Sequence, residues 1–343
     1  MRNLFLVLVF LAAPACAQEP VFPGDSWEIA QAGSYGWDLD GLQAVNAFVR
    51  DSSNTTGLVV VDRGKMVLAF GDVSELSYVA SVRKSILAIL YGNAEADLDQ
   101  TLAGLGMDDV EGLSERERSA TVRDLISARS GIYHPASNAG DNSADAPARD
   151  SQEPGTYYLY NNWDFNAAGY AFEQLTGRDI YDALEADLAV PLGFEDWDRA
   201  AQRKSGDLSR SRYPAYHMWI STRDLARIGY LMLNDGNWDG TQVVPAEWVR
   251  QVRALVTPRA EMNPARMRSD EFGYGLMWWV WDDPEARAEF AGAYAARGYL
   301  GQYIVVLPAI DVVIAHKTKA AYGRPVSWGT FSAIVDRVLD ARR

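Results

Sequence analysis

Ser81 and Lys84 stand three residues apart in Ser81-Val82-Arg83-Lys84, at the head of an apolar run of Val82, Ile86, Leu87, Ile89 and Leu90 that Gly92 closes. Positions i and i+3 share a helix face, so the spacing predicts a helix with both side chains on one side. The serine would sit at the helix N-terminus, among N–H groups without intrahelical partners and at the positive end of the dipole. A serine hydroxyl is a weak nucleophile at neutral pH, and a neighbouring lysine can be its base only if desolvation or a nearby cation lowers the lysine pKa. Burial in the apolar face supplies the desolvation. Short Ser-x-x-Lys matches also arise as surface accidents. Lysine is scarce here, however, at positions 65, 84, 204, 317 and 319, and only Lys84 has serine three residues earlier.

Pro154-Gly155-Thr156 leads through Tyr157-Tyr158-Leu159 to Tyr160-Asn161-Asn162, and a helix is predicted from Trp163 or Asp164, with Phe165, Ala168, Ala171 and Phe172 on one face. Tyr160 and Asn162 then lie on the loop before that helix. A phenol beside a lysine ammonium can relay a proton, and a carboxamide can orient the lysine or a substrate amide. The alternative for three nearby tyrosines is an aromatic cluster under a loop.

The segment Ala296-Arg297-Gly298-Tyr299-Leu300-Gly301-Gln302 precedes two β-branched runs, Tyr303 to Leu307 and Asp311 to Ile314. These predict a hairpin whose first strand begins with glycines, a pattern that marks either a bulge or the close approach of another backbone. The N–H of Tyr299, paired with that of Ser81, could hold the oxyanion of a tetrahedral intermediate.

In this order the three motifs resemble the serine β-lactamase and penicillin-binding-protein superfamily. The stretch from Pro154 to Asn166, with Gly298-x-x-Gly301-Gln302, resembles the 6-aminohexanoate-dimer hydrolase and esterase branch of its class C-like members. Further similarity runs through Ser130-Gly131, Pro191-Leu192-Gly193 and Ser221 to Arg227. The resemblance implies acylation of Ser81, acid and base roles for Lys84 and Tyr160, an oxyanion hole from the N–H groups of Ser81 and Tyr299, and substrate binding at Asn162 and Gly298. It implies no cofactor and no metal. The family's lactamases and peptidases open the third motif with a cation that receives the substrate carboxylate, where this chain has Ala296. Arg297 is adjacent, but alternation along a strand turns it to the other face, away from the site. A carboxylic ester or linear amide is therefore the expected substrate. The alternatives are a β-lactamase or D-Ala-D-Ala peptidase-like enzyme, and a slowly acylating penicillin-binding or sensor-like protein.

Rival chemistries lack their residues. There is no Gly-x-Ser-x-Gly elbow, no His-Glu-x-x-His, no close His/Cys/carboxylate cluster, and no phosphate-cradling or dinucleotide loop. The three histidines, His134, His217 and His316, are scattered. A formal charge of -14 disfavours nucleic acid and anionic membranes as partners. No internal stretch is long and apolar enough to span a bilayer, and no feature specifies an oligomeric state.

Residues 1–17 read as a signal peptide, with Arg2, an apolar Leu4 to Ala12, and Ala15-Cys16-Ala17 as the cleavage site. Cleavage would remove Cys16, the only cysteine, and place the enzyme in the periplasm or outside the cell. A lipoprotein acylated at Cys16 is the lesser alternative, since Ala13-Pro14-Ala15 matches a leucine-led lipobox poorly.

The elements that must position these residues read as one domain, 18–343, of α/β (α+β) type with a β-lactamase/transpeptidase-like arrangement. A largely antiparallel five-stranded sheet is expected from Gly57 to Val61, Met66 to Phe70, Tyr274 to Trp281 and the hairpin of the third motif. Residues 18–100 and 266–343 form the α/β part and residues 101–265 a helical insertion, with helices after Ser221 and Pro245. Terminal helices carry Leu42, Val45, Phe48 and Val49, and Phe331, Ile334, Val335, Val338 and Leu339. The cleft belongs between sheet and insertion. Trp278, Trp279 and Trp281 are core residues by default, with the cleft wall as the alternative. The loop from Pro135 to Glu153, with Asp141, Asp145 and Asp150, is expected either to wall or lid the site and offer an aspartate to a substrate amine, or to be only a solvated connector.

Overall fold

The computed structural model describes residues 20–140, 142–319 and 323–343. The expected signal peptide, Cys16 and Asp141 lie outside the described residues.

Runs of β-branched residues build the centre of the molecule. Strands β1 (Gly57–Asp62), β2 (Lys65–Gly71), β3 (Phe272–Tyr274), β4 (Trp279–Trp281), β5 (Tyr294–Gly298), β6 (Gln302–Leu307) and β7 (Val312–Lys317) form one antiparallel sheet in the order β2-β1-β7-β6-β5-β4-β3. Every residue of β1, β6 and β7 is buried, because helices cover both faces, and their sequences accordingly read as continuous apolar runs. Arg63 and Gly64, both with positive φ, make the β1–β2 hairpin turn.

The sheet has seven strands where five are expected. Tyr274 to Trp281 is not one strand: the chain reverses at Gly275–Trp278, with the Gly275 N–H on the Trp278 carbonyl at 2.8 Å and Met277 at φ +59. The second addition is β5, whose Tyr-Ala-Ala-Arg-Gly sequence lacks the β-branching that marks strands. Gly298 therefore ends a strand instead of opening one. Tyr299 lies in the turn to β6, where Leu300 (φ +66) and Gly301 (φ +110) reverse the chain.

Helices α1 (Leu39–Ser52) and α5 (Trp328–Asp340) pack against each other. Leu42, Val45 and Val49 of α1, and Phe331, Ile334, Val335, Val338 and Leu339 of α5, are buried as their spacing predicts. Helix α2 (Val82–Asn93) and α4 (Thr222–Leu233) also contact the sheet, α4 crossing β1, β6 and β7. Gly229 permits that close crossing, since a Cβ there would lie 2.5 Å from Val313 and 2.8 Å from Ile304. Ser221 caps α4 by accepting from the Asp224 N–H. Helix α3 (Asn162–Thr176) begins one residue earlier than expected, because Asn161 is its N-cap and accepts from the Asp164 N–H at 2.8 Å. Between residues 101 and 265 the chain forms short helices and two-stranded ribbons besides α3 and α4.

Candidate active site

A turn delivers Ser81 to the start of α2. Ala80 takes the left-handed conformation at φ +49, which costs a non-glycine residue about 1–2 kcal/mol. Ser81 then occupies the N-cap position but makes no side-chain cap bond, so its hydroxyl is not spent on its own helix as an N-cap serine usually is. It lines a cavity of about 700 Å³ together with Tyr160, Trp279, Gly298 and Tyr299.

Lys84 is one helical turn on and buried, 1% exposed. Its Nζ donates to Tyr160 Oη at 2.7 Å and to Asn162 Oδ1 at 2.7 Å, and it lies over the Tyr160 ring at 4.1 Å and the Phe165 ring at 4.3 Å. The sequence motifs thus converge: the α2 lysine, the phenol on the loop before α3 and the first carboxamide of α3 form one hydrogen-bonded group. Tyr160 is wedged among Phe165, Tyr274 and Trp279, so the aromatic cluster and the polar contact coexist.

Gly298 brings the third motif against the first. A Cβ there would lie 2.7 Å from the Val79 carbonyl and 3.2 Å from the Ser81 amide nitrogen, so only glycine lets the end of β5 approach so closely. Tyr299 follows, its side chain 72% exposed at the cavity. His316 supports this turn. The Gly301 carbonyl accepts from its Nδ1 at 2.8 Å, which leaves Nε2 to accept from Thr55 at 2.7 Å. Burial depresses the His316 pKa to about 4.

Three features were not legible in the motifs. First, Arg83 is buried and donates to Asn166 Oδ1 at 2.8 Å, Asn166 Nδ2 donates to Asn138 Oδ1 at 2.8 Å, and the Ala139 carbonyl accepts from Asn162 Nδ2 at 3.0 Å. Asn162 is therefore held on both sides, and the i, i+4 spacing of Asn162 and Asn166 on α3 is the signal that could have revealed it. Second, the buried Asp164 carboxyl accepts from Ser130 Oγ at 2.5 Å, and burial raises its pKa well above the usual range. Third, Arg297, expected to turn away from the site, instead lines the cavity that holds Ser81.

Other expectations are corrected or refined. Asp145 is paired with Arg266 at 2.7 Å, Asp150 accepts from Ser114 Oγ at 2.5 Å, and neither lines the cavity. The loop does contribute to the wall through Gly140 and Asn142, and Asn142 N–H bonds the Tyr160 carbonyl at 3.1 Å. Trp279 lines the cavity, Trp278 is fully buried against Tyr294, and Trp281 stacks on Phe290. None of the histidines lines the cavity: His134 lies 3.5 Å from Glu117, and His217 packs between Tyr78 and Trp219. Among the described residues no cluster of His, Cys, Asp and Glu could hold a metal, and no helix is long and apolar enough to cross a membrane.

Similar proteins share this architecture. The chain resembles a protein of Bacillus anthracis described as a candidate 6-aminohexanoate-dimer hydrolase, with TM-score 0.63 and 19% identity over 85% of this chain and 80% of that one. It also resembles a family VIII carboxylesterase, with TM-score 0.63 and 13% identity over 92% of this chain and 99% of the other. These likenesses show the fold. An uncharacterized protein of Alkalihalophilus pseudofirmus is 30% identical over 116 residues, 32% of each chain, so the match spans about a third of that relative. The sequence profile of the Beta-lactamase family matches residues 45–327. With that span of agreement laid over this sheet, the chain belongs to the beta-lactamase family, within the serine β-lactamase and penicillin-binding-protein superfamily.

Proposed function

We propose that the protein cleaves a carboxylic ester or linear amide through an acyl-enzyme on Ser81. The observation that carries this reading is the contact of Lys84 Nζ with both Tyr160 Oη and Asn162 Oδ1, each at 2.7 Å. Neutral Lys84, acting with Tyr160, takes the Ser81 hydroxyl proton as the oxygen attacks the carbonyl carbon. The N–H groups of Ser81 and Tyr299 hold the oxyanion. Collapse expels the alcohol or amine, to which Tyr160 returns the proton. A water then loses its proton to the same pair, attacks the acyl carbon and frees Ser81. Asn162 and Gly298 shape the substrate site. Ala296 is fully buried and uncharged where the carboxylate-binding cation of the lactamases stands, which favours esters and linear amides over β-lactams. Residues 1–17 extend the proposal to an exported enzyme, periplasmic or secreted.

Intact-mass spectrometry with a fluorophosphonate probe, on wild type and Ser81→Ala, tests the proposal. A single adduct that needs Ser81 is expected. Labelling that survives Ser81→Ala, or wild type without label, would overturn the nucleophile assignment. An adduct without turnover of any ester or amide would turn the reading toward a slowly acylating binder.

A further inference from the structure

Arg297 is the only charged side chain among the described residues lining the cavity, and its charge is already taken. Its guanidinium lies over the rings of Trp328 at 4.5 Å, Phe272 at 4.7 Å and Trp279 at 4.8 Å. Nη1 donates to Asp270 Oδ2 at 2.7 Å, with the two side chains only 17% and 19% exposed. Asp270 is itself fixed, since its Oδ1 accepts from the Glu271 N–H at 3.0 Å. The neighbouring Glu271 accepts from Trp328 Nε1 at 3.1 Å. Burial and the contact with Asp270 raise the Glu271 pKa, while that of Asp270, against its own burial, is lowered by the Glu271 contact and Arg297.

A half-buried arginine caged by rings is a receptor for a carboxylate. Here the protein supplies that carboxylate from its own chain. A substrate anion would have to displace Asp270 from a well-formed pair or lie beside it at low dielectric, whereas an uncharged group meets a wall that includes Trp279, Trp328 and Tyr303 without that cost. Specificity of this kind comes from a penalty on the wrong ligand as much as from attraction of the right one. We infer that Asp270 is a specificity-determining residue that occupies Arg297, so that the cavity takes esters and amides with uncharged, apolar acyl or leaving groups and rejects carboxylate-bearing ones. This rests on the reading of the cavity as the Ser81 hydrolase site.

The test compares two substrates on the full chain, 4-nitrophenyl valerate and the 4-nitrophenyl monoester of glutaric acid, which differ by a terminal carboxylate. The quantity read is the ratio of kcat/KM for the anionic ester to that for the neutral one. Wild type is expected to favour the neutral ester. Asp270→Asn, and Asp270→Asn with Glu271→Gln so that Glu271 cannot replace the lost partner, should raise the ratio about ten- to a hundredfold, as one charge-assisted hydrogen bond allows. Adding Arg297→Met should remove the gain. An unchanged ratio in both variants, or a wild type that already prefers the anionic ester, overturns the inference.

Calorimetric binding of hexanamide and hexanoate to wild type gives a second readout that needs no variant. Hexanamide should bind more tightly, and equal or tighter binding of hexanoate overturns the inference. Hydrolysis of neither ester, or hydrolysis that survives Ser81→Ala, would instead sink the hydrolase reading, leaving the binding comparison, repeated on Asp270→Asn, to judge whether Asp270 excludes the anion.

Discussion

Gly298 stands so near Ser81 that a Cβ at position 298 would lie 3.2 Å from the Ser81 amide nitrogen. The contact joins the end of a strand late in the sequence to the start of a helix early in it, and it sets the separation of the two N–H groups proposed to hold the oxyanion. Gly298→Ala should therefore keep the fold and lower kcat about a hundredfold or more, the usual loss when an oxyanion donor is misplaced. Steady-state kinetics beside a circular dichroism melt checks this; a variant with wild-type kcat would remove Tyr299 from the proposed oxyanion hole.

Tyr160 touches Lys84 through its hydroxyl and packs through its ring. Tyr160→Phe separates the two roles. The melt should move little, while kcat should fall about a hundred- to ten-thousandfold, the span of general acid–base catalysis. A drop confined to KM would make Tyr160 a substrate contact only.

Asn166 is expected to position Asn162 without meeting substrate. Asn166→Ala cuts the link between Arg83 and the Asn138 side chain, and kcat should fall about ten- to a hundredfold, the cost of a small misplacement. KM should stay within a factor of about two or three, since Asn166 lies outside the cavity. An equal rise in KM would show that the 137–140 loop binds substrate directly.

Asp109 is a structural counterpart, buried and far from any proposed chemistry. It accepts from Trp163 Nε1 at 2.5 Å, Ser211 Oγ at 2.7 Å, the Arg212 N–H at 2.6 Å and the Val110 N–H at 2.7 Å. Asp109→Ala strands these donors and should cost at least about 3 kcal/mol in urea unfolding. A loss below 1 kcal/mol, well under the penalty of even two stranded donors, would contradict this account.

His316 gives the fold an acid limit. Its folded pKa, about 4, is below the unfolded value near 6.5 because burial disfavours the imidazolium. Between these values the unfolded chain binds a proton that the folded chain refuses, so stability falls as pH drops from about 6.5 to about 4, by up to about 1.4 kcal/mol per pH unit for this group. Urea titrations of wild type and His316→Gln across that window should converge toward low pH. Parallel curves would exclude His316 as the source.

The candidate site was easier to read than its frame: Lys84, Tyr160 and Asn162 meet in one hydrogen-bonded group, and Ser81 lines the same cavity as Tyr160. β5 was missed because its residues earn their places through what they touch: Ala296 beneath the site, Arg297 against Asp270, Gly298 beside Ser81. None of them carries strand propensity. The pairing of Arg297 with Asp270, 27 residues apart, is a product of sheet order and leaves no local pattern. Likewise the turn at Gly275–Trp278 is hidden inside a run of tryptophans that alone reads as a strand.

The position of β7 has a temporal consequence. It lies between β1 and β6, paired from Gly57 with Lys317 to Asp62 with Val312 on one side and from Tyr303 with His316 to Leu307 with Val312 on the other. The strand that joins the two halves of the sheet is thus the last of the seven to leave the ribosome. Until it is made, the half of the sheet built from β1 and β2 and the half that ends in the Tyr299 turn share no strand. Such long-range closure makes for slow folding.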